Sequence, residues 1–217
     1  MNASKAGAVG ALLGALLLGC EDRNPAAAGS EGATGPNAGT LPATAAGSQN
    51  LLMRWDIISI DFATGTASAG GVASAFANDN SKITLTGSGT FRSNPGKSQS
   101  VTGGGEWTTF APGGSVTGSG TYEVTGFVSY VLDPGTFPLP NDNIGNVADV
   151  RAGLAVLKIS YNDGSDGVLI LSCHFTGTPD AVFEGVTASK GVVDYWNREE
   201  PPTPPGNANR TAFHVIH

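Results

Sequence analysis

One glycine-rich pattern occurs three times in the middle of this 217-residue chain. Each copy has the form Thr-Gly-x-Gly-x-aromatic, and the copies are Thr86–Phe91, Thr102–Trp107 and Thr117–Tyr122. In a strand, the aromatic residue and the glycine two positions before it lie on the same face. Glycine inside a strand also permits a sharp bend or the close approach of a neighbour. The repeat therefore predicts successive antiparallel strands of a strongly curved sheet.

The chain from Leu51 onward is typical of an all-β domain. Short runs of Val, Ile, Thr and aromatic residues alternate with Gly, Asn, Asp and Pro, and helical periodicity is nearly absent. We predict an antiparallel meander that closes into a small β-barrel, with a β-sandwich as the alternative. Asn162–Gly167 has the composition of a hairpin turn. The run 181–195 is predicted to be strand, and for the longest runs two strands or one bent strand are alternatives.

The first 19 residues have the layout of a signal peptide. Lys5 precedes an apolar stretch from Ala6 to Leu18, which at about 13 residues is shorter than the roughly 20 that a membrane span needs. Leu17-Leu18-Gly19-Cys20 resembles the lipobox of bacterial lipoproteins, which implies cleavage before Cys20 and acylation of that cysteine. The alternative is an ordinary leader that is cut further on, after Ala26–Ala28, with an incidental Cys20.

Residues 20–50 are predicted to be a flexible tether. Between 21 and 49 there is no aromatic residue and Leu41 is the one large aliphatic side chain, so this segment has too little apolar surface to offset the entropy cost of ordering. The expected organisation is thus a signal peptide over 1–19, a tether over 20–50 and a single β domain over 51–217. We expect the protein in the bacterial cell envelope, in the periplasm or at the cell surface, attached to a membrane through Cys20.

Charge and cysteine content exclude some functions and constrain the core. Acidic residues outnumber basic ones by 18 to 11, and the basic residues are scattered singly, so no nucleic-acid partner is expected. An acylated Cys20 would leave Cys173 without an intramolecular partner. Cys173 alternates with Leu169, Leu171 and Phe175, and this pattern predicts a small core residue.

Several segments resemble a group of uncharacterised exported bacterial proteins for which no activity is established. They are Trp55–Ile58, Ser172–Phe175 and Val182–Glu199. At a coarser level, the glycine-punctuated meander resembles small barrels of the avidin, lipocalin and allene-oxide-cyclase-like types. Because unrelated functions share such folds, the resemblance implies a barrel and no particular chemistry.

No short catalytic motif is present, and we predict neither a cofactor nor a metal site. His174 and His214 lie in predicted strands, and they would form a metal pair with Asp194 only if their faces coincide across a sheet. His174 points away from Cys173 if the strand is regular, which disfavours a Cys–His couple. The catalytic residues, if there are any, are therefore not identified from the sequence.

The densest group of functional side chains follows the last long predicted strand, beside the loop Pro201–Pro205. We predict a ligand site at this strand end, because aromatic and polar groups on loops of a rigid scaffold commonly bind ligands. The competing interpretation is that the aromatic residues close the core and the arginine pairs with a nearby acid. The candidate ligand-binding residues are Asp194, Tyr195, Trp196, Arg198 and, from the neighbouring segment, His174.

The expected function is a lipid-anchored binding or interaction module for a small apolar or polar ligand. The alternatives are an isomerase-like or cyclase-like enzyme that uses the barrel lumen, and a structural protein of the envelope. The interior of the barrel distinguishes them: converging ionisable groups favour catalysis, an apolar cavity favours ligand binding, and a filled interior favours a structural role.

Overall fold

The computed structural model describes residues 50–93 and 100–217. The predicted signal peptide, Cys20 and the predicted tether up to residue 49 lie outside these residues. Only Val147–Asp149 form a 3-10 helix within the described residues, and all other regular elements there are strands. The strands are β1 Leu52–Asp61, β2 Thr66–Ala69, β3 Ala73–Phe76, β4 Lys82–Leu85, β5 Ser88–Arg92, β6 Thr102–Phe110, β7 Val116–Asp133, β8 Asn141–Asp142, β9 Val150–Tyr161, β10 Asp166–Cys173, β11 Gly185–Lys190, β12 Val193–Tyr195, β13 Asn197–Arg198 and β14 Arg210–Ile216.

Six strands close into an antiparallel barrel in the order β1, β5, β6, β7, β9, β14. Closure is completed by β14, which pairs with β1 over seven positions from Leu52↔Ile216 to Ile58↔Arg210. A closed barrel leaves no unpaired edge in this ring. The predicted all-β barrel is confirmed, and the sandwich alternative is not the fold adopted.

The remaining strands extend the sheet outside this ring. β4, β3 and β13 continue from β6, while β10, β11 and β12 continue from β9. The segment 193–198 contributes to both extensions, because β12 pairs with β11 and β13 pairs with β3. The predicted run 181–195 is two strands: β11 begins at Gly185, and a turn at Gly191, with a φ of +57°, separates it from β12.

The repeated glycines bring three neighbouring strands very close to one another. The copies fall on β5, β6 and β7, which are adjacent in the barrel as predicted. A Cβ atom on Gly89 would lie 2.1 Å from the carbonyl oxygen of Thr102 and 2.8 Å from the indole nitrogen of Trp55. On Gly103, a Cβ would lie 2.8 Å from the same indole ring. Gly89 and Gly103 are therefore required because a neighbouring backbone carbonyl and the Trp55 side chain occupy the space that a larger side chain would need.

The barrel interior is filled by side chains. Trp55, Phe91 and Phe213 are fully buried, and they pack with the other aromatic residues of the repeat, Trp107 and Tyr122, which are 4% and 2% exposed. The ring centroids of Phe91 and Phe127 are 5.1 Å apart. Aromatic pairs at this separation add packing energy beyond area burial. The core holds the domain together through this contiguous apolar cluster.

The predicted hairpin turn joins β9 to β10. Gly164 has a φ of +87°, and Asp163 accepts a hydrogen bond from the backbone N–H of Ser165 at 3.1 Å. Lys190 forms an ion pair with Asp163 and lies over the Trp107 ring, 4.3 Å from its centroid. The turn is thus fixed by its own residues and by a cation–π contact to the barrel.

Candidate functional site

The predicted ligand patch is divided between the two sides of the sheet. Tyr195 points inward, is 5% exposed and belongs to the core. Asp194 is exposed, and Trp196 is 45% exposed, because successive side chains of an extended segment face opposite sides. The Tyr195 ring therefore packs in the core, as the competing interpretation holds for this residue. A ligand-binding role for Asp194 and Trp196 stays a prediction.

Arg198 lies on the half-exposed side of β13. Its Nη2 atom is 3.1 Å from Oε1 of Glu200, whose side chain is 79% exposed. Its guanidinium carbon lies 5.9 Å from the centroid of the Phe183 ring. An ion pair with so exposed a carboxylate contributes little to the stability of the fold.

Cys173 is the last residue of β10 and His174 follows it, and the two side chains have different partners. The Nδ1 atom of His174 lies 2.8 Å from the carbonyl oxygen of Val182, and a carbonyl only accepts, so Nδ1 carries the proton of this bond. Cys173 is fully buried, and its Sγ donates to the carbonyl oxygen of Thr211 at 3.1 Å. Burial raises the pKa of the Cys173 thiol. The prediction of a core cysteine is confirmed.

Glu184 links three strand ends, and it was not singled out from the sequence. Its Oε2 accepts from the backbone N–H of His174 at 2.5 Å, and its Oε1 accepts from that of Thr211 at 2.6 Å. The residue retains some exposed surface, but its carboxyl group is enclosed by protein. A lone glutamate between Phe183 and Gly185 carries no sequence signal for this role, because its partners are backbone groups distant along the chain.

Burial disfavours the ionised form of the Glu184 carboxyl group. Burial raises the pKa of Glu184 to about 8, although the two backbone N–H groups, Arg210 and Arg198 all favour the ionised form. Burial of Arg210 lowers the pKa of its guanidinium group, and the negative charge of Glu184 partly offsets this shift. Two of the predicted site residues therefore act on Glu184: His174 through its backbone N–H and Arg198 through its charge.

His214 on β14 does not meet His174, and instead it pairs with an acid on β8. Its Nε2 atom lies 2.6 Å from Oδ2 of Asp142, and the two side chains are 4% and 1% exposed. On the neighbouring strand, Arg54 donates two hydrogen bonds of 2.8 Å to Asp56. Within residues 50–93 and 100–217, no three His, Cys, Asp or Glu side chains are grouped as a metal site.

An open recess of about 400 Å³ lies on the outer side of the barrel, where β7, β9, β10 and β11 run side by side. This volume is within the range of small-molecule sites. Its lining includes both a basic and an acidic side chain together with two hydroxyl groups. These polar residues are Thr125, Lys158, Asp166 and Ser189.

Two glycines, Gly167 and Gly191, belong to the lining of the recess. A Cβ atom on Gly167 would lie 2.0 Å from the carbonyl oxygen of Ser189, so no other residue fits there without moving β10 from β11. Gly191, at the turn after β11, donates its N–H to the carbonyl oxygen of Asp166 at 2.9 Å. The recess is thus lined by residues of the β9–β10 hairpin together with residues of β7 and of the end of β11, and it was not predicted.

In the part of the chain that the structure describes, no helix is long and apolar enough to cross a membrane. Comparison with the models of known protein families, with curated proteins and with solved structures finds no significant match.

Proposed function

We propose that this protein is an exported, lipid-anchored binding module that uses the outer surface of its barrel. The observation that carries the proposal is the filled interior, since residues such as Trp55, Phe91 and Phe213 occupy the space that a lumen ligand would need. The outer recess supports the proposal, because it combines a suitable volume with polar groups of both charges. In this proposal, the barrel is a rigid scaffold for a surface site.

The anchor is the second part of the proposal. Diacylation at Cys20 would attach the protein stably, because each buried CH₂ contributes about 0.8 kcal/mol and a single chain binds only reversibly. The tether over 20–50 would let the domain work away from the lipid surface. The sequence leaves open whether the membrane is the inner or the outer one.

A structural role in the envelope is the second candidate, and the filled interior favours it as well. The two candidates differ at the recess, which a purely structural protein does not need. The lumen enzyme is the least supported function, because the described barrel interior is lined by apolar and aromatic side chains. The predicted residues Asp194, Trp196, Arg198 and His174 are a second surface region that a ligand could use.

Two measurements test the proposal. Metabolic labelling with a fatty-acid probe should mark the wild-type chain and leave Cys20→Ser unlabelled, and persistent labelling of the variant would exclude this anchor. Mass spectrometry of small molecules retained by the full-length protein should identify a ligand that Lys158→Met and Asp166→Asn retain less well. If wild-type protein retains nothing from a periplasmic extract, the structural role is favoured instead.

A further inference from the structure

We propose that the outer recess binds short peptides of two or three residues through their free amino and carboxyl termini. This inference rests on the proposed binding function and specifies its ligand class. The ligand carboxylate would contact Lys158, and the ligand ammonium would contact Asp166. Both groups lie on the lining of the recess.

The two charged side chains are free to engage a ligand. Within residues 50–93 and 100–217, neither the Lys158 ammonium nor the Asp166 carboxylate takes part in a hydrogen bond or an ion pair with another side chain. Other charged groups near the recess are already paired, as in Lys190 with Asp163. A cation and an anion that stay apart on one surface leave both charges available to a ligand of complementary charge.

The direction of the Lys158 side chain explains why the two charges do not meet. Lys158 on β9 is opposite Gly126 on β7, and a Cβ on Gly126 would lie 3.3 Å from Cδ of Lys158. The lysine stem therefore lies against Gly126 of β7, in the space that a larger side chain at that position would fill. Asp166 is on β10, on the other side of β9.

The separation of the charges selects the length of the ligand. Lys158 is opposite Val168 on β10, two residues from Asp166, and such diagonal neighbours on one face of a sheet are about 7–8 Å apart. An extended peptide spans about 3.3–3.6 Å per residue. Two or three residues therefore place their terminal charges at the two side chains, whereas the charges of a free amino acid are too close together.

Ser189 provides a polar group for the middle of such a peptide. The residue is 9% exposed, and its Oγ atom accepts a hydrogen bond from the backbone N–H of Val168 at 3.1 Å. Because a hydroxyl is also a donor, and among the described residues no acceptor is bonded to it, its proton is available to a ligand carbonyl.

Isothermal titration of the full chain with trialanine tests this proposal. The blocked analogues are N-acetyl-trialanine, which lacks the ammonium, and trialanine amide, which lacks the carboxylate. We expect trialanine to bind, and each blocked analogue to bind at least tenfold more weakly to the wild-type protein. This comparison needs no variant and cannot be affected by misfolding.

Two variants assign the charges to residues. Lys158→Met should bind trialanine and its amide equally weakly, and Asp166→Asn should not distinguish trialanine from its N-acetyl form. Asp180→Asn, an exposed acid outside the recess lining, is the matched control and should bind like the wild type. Equal binding of all three peptides, or unchanged affinity in both recess variants, would overturn the inference. If a different retained ligand is lost in both variants, the peptide class is wrong while the proposed binding function stands.

Discussion

The carboxyl group of Glu184 is expected to link stability to pH. It accepts two backbone N–H bonds, from His174 and Thr211. In Glu184→Gln, the amide oxygen can accept one of them, but the amide nitrogen has no lone pair for the other. One buried N–H then loses its partner, at a cost of about 1–3 kcal/mol in unfolding free energy. Glu184→Ala leaves both donors unpaired and should cost about twice as much.

The direction of the pH effect follows from the raised pKa. The pKa of Glu184 is about 8 in the folded protein against an ordinary value of 4.5, so between these pH values the folded state holds a proton that the unfolded state has lost. The contribution of Glu184 is therefore fully present below pH 4.5 and is lost as the pH rises to 8. The slope is at most about 1.4 kcal/mol per pH unit.

Urea denaturation followed by tryptophan fluorescence, from pH 5 to pH 9, measures this contribution. The stability difference between the wild type and Glu184→Gln should shrink as the pH rises, because the glutamine does not titrate. Glu199→Gln is the matched control, since Glu199 is half-buried and its nearest cation, Lys82, is 3.9 Å away. A difference that is independent of pH, or that grows with pH, would refute the assignment of a raised pKa.

Two further substitutions examine the close contact between β5 and β6 and the predicted ligand patch. Gly89→Ala should destabilise the domain by at least the roughly 1–3 kcal/mol that is usual for overpacking, because its Cβ would overlap a backbone carbonyl. The control Gly113→Ala has open space around its Cβ and should be tolerated. Equal stability of the two variants in urea would contradict this account of the glycines. Arg198→Ala should lower the free energy of unfolding in urea by less than about 1 kcal/mol, since its partner Glu200 is mostly exposed. A loss of several kcal/mol would instead identify Arg198 as a structural residue.

The strand content and the neighbours of the repeat were predictable, because they depend on local signals. Runs of Val, Ile, Thr and aromatic residues between Gly, Asn, Asp and Pro defined the β domain, and the three Thr-Gly-x-Gly-x-aromatic copies became the adjacent strands β5, β6 and β7. The turn at Asn162–Gly167 was predictable for the same reason, since Asn, Asp and Gly adopt its conformations at low cost. The position at which the run 181–195 divides was not predicted, since one glycine inside a β-type run is a weak local signal.

The candidate sites depended on tertiary contacts that no local pattern encodes. Glu184 acquires its raised pKa from burial beside backbone groups of His174 and Thr211, which are 10 and 27 residues away along the chain. Lys158 and Asp166 are ordinary surface charges in the sequence. The hairpin turn at Asn162–Gly167 sets the register of β9 with β10. The recess also needs Thr125 from β7 and Ser189 from β11, which only the pairing of these strands in the folded sheet brings beside Lys158 and Asp166; a shift of one residue in either pairing would turn each side chain to the opposite face.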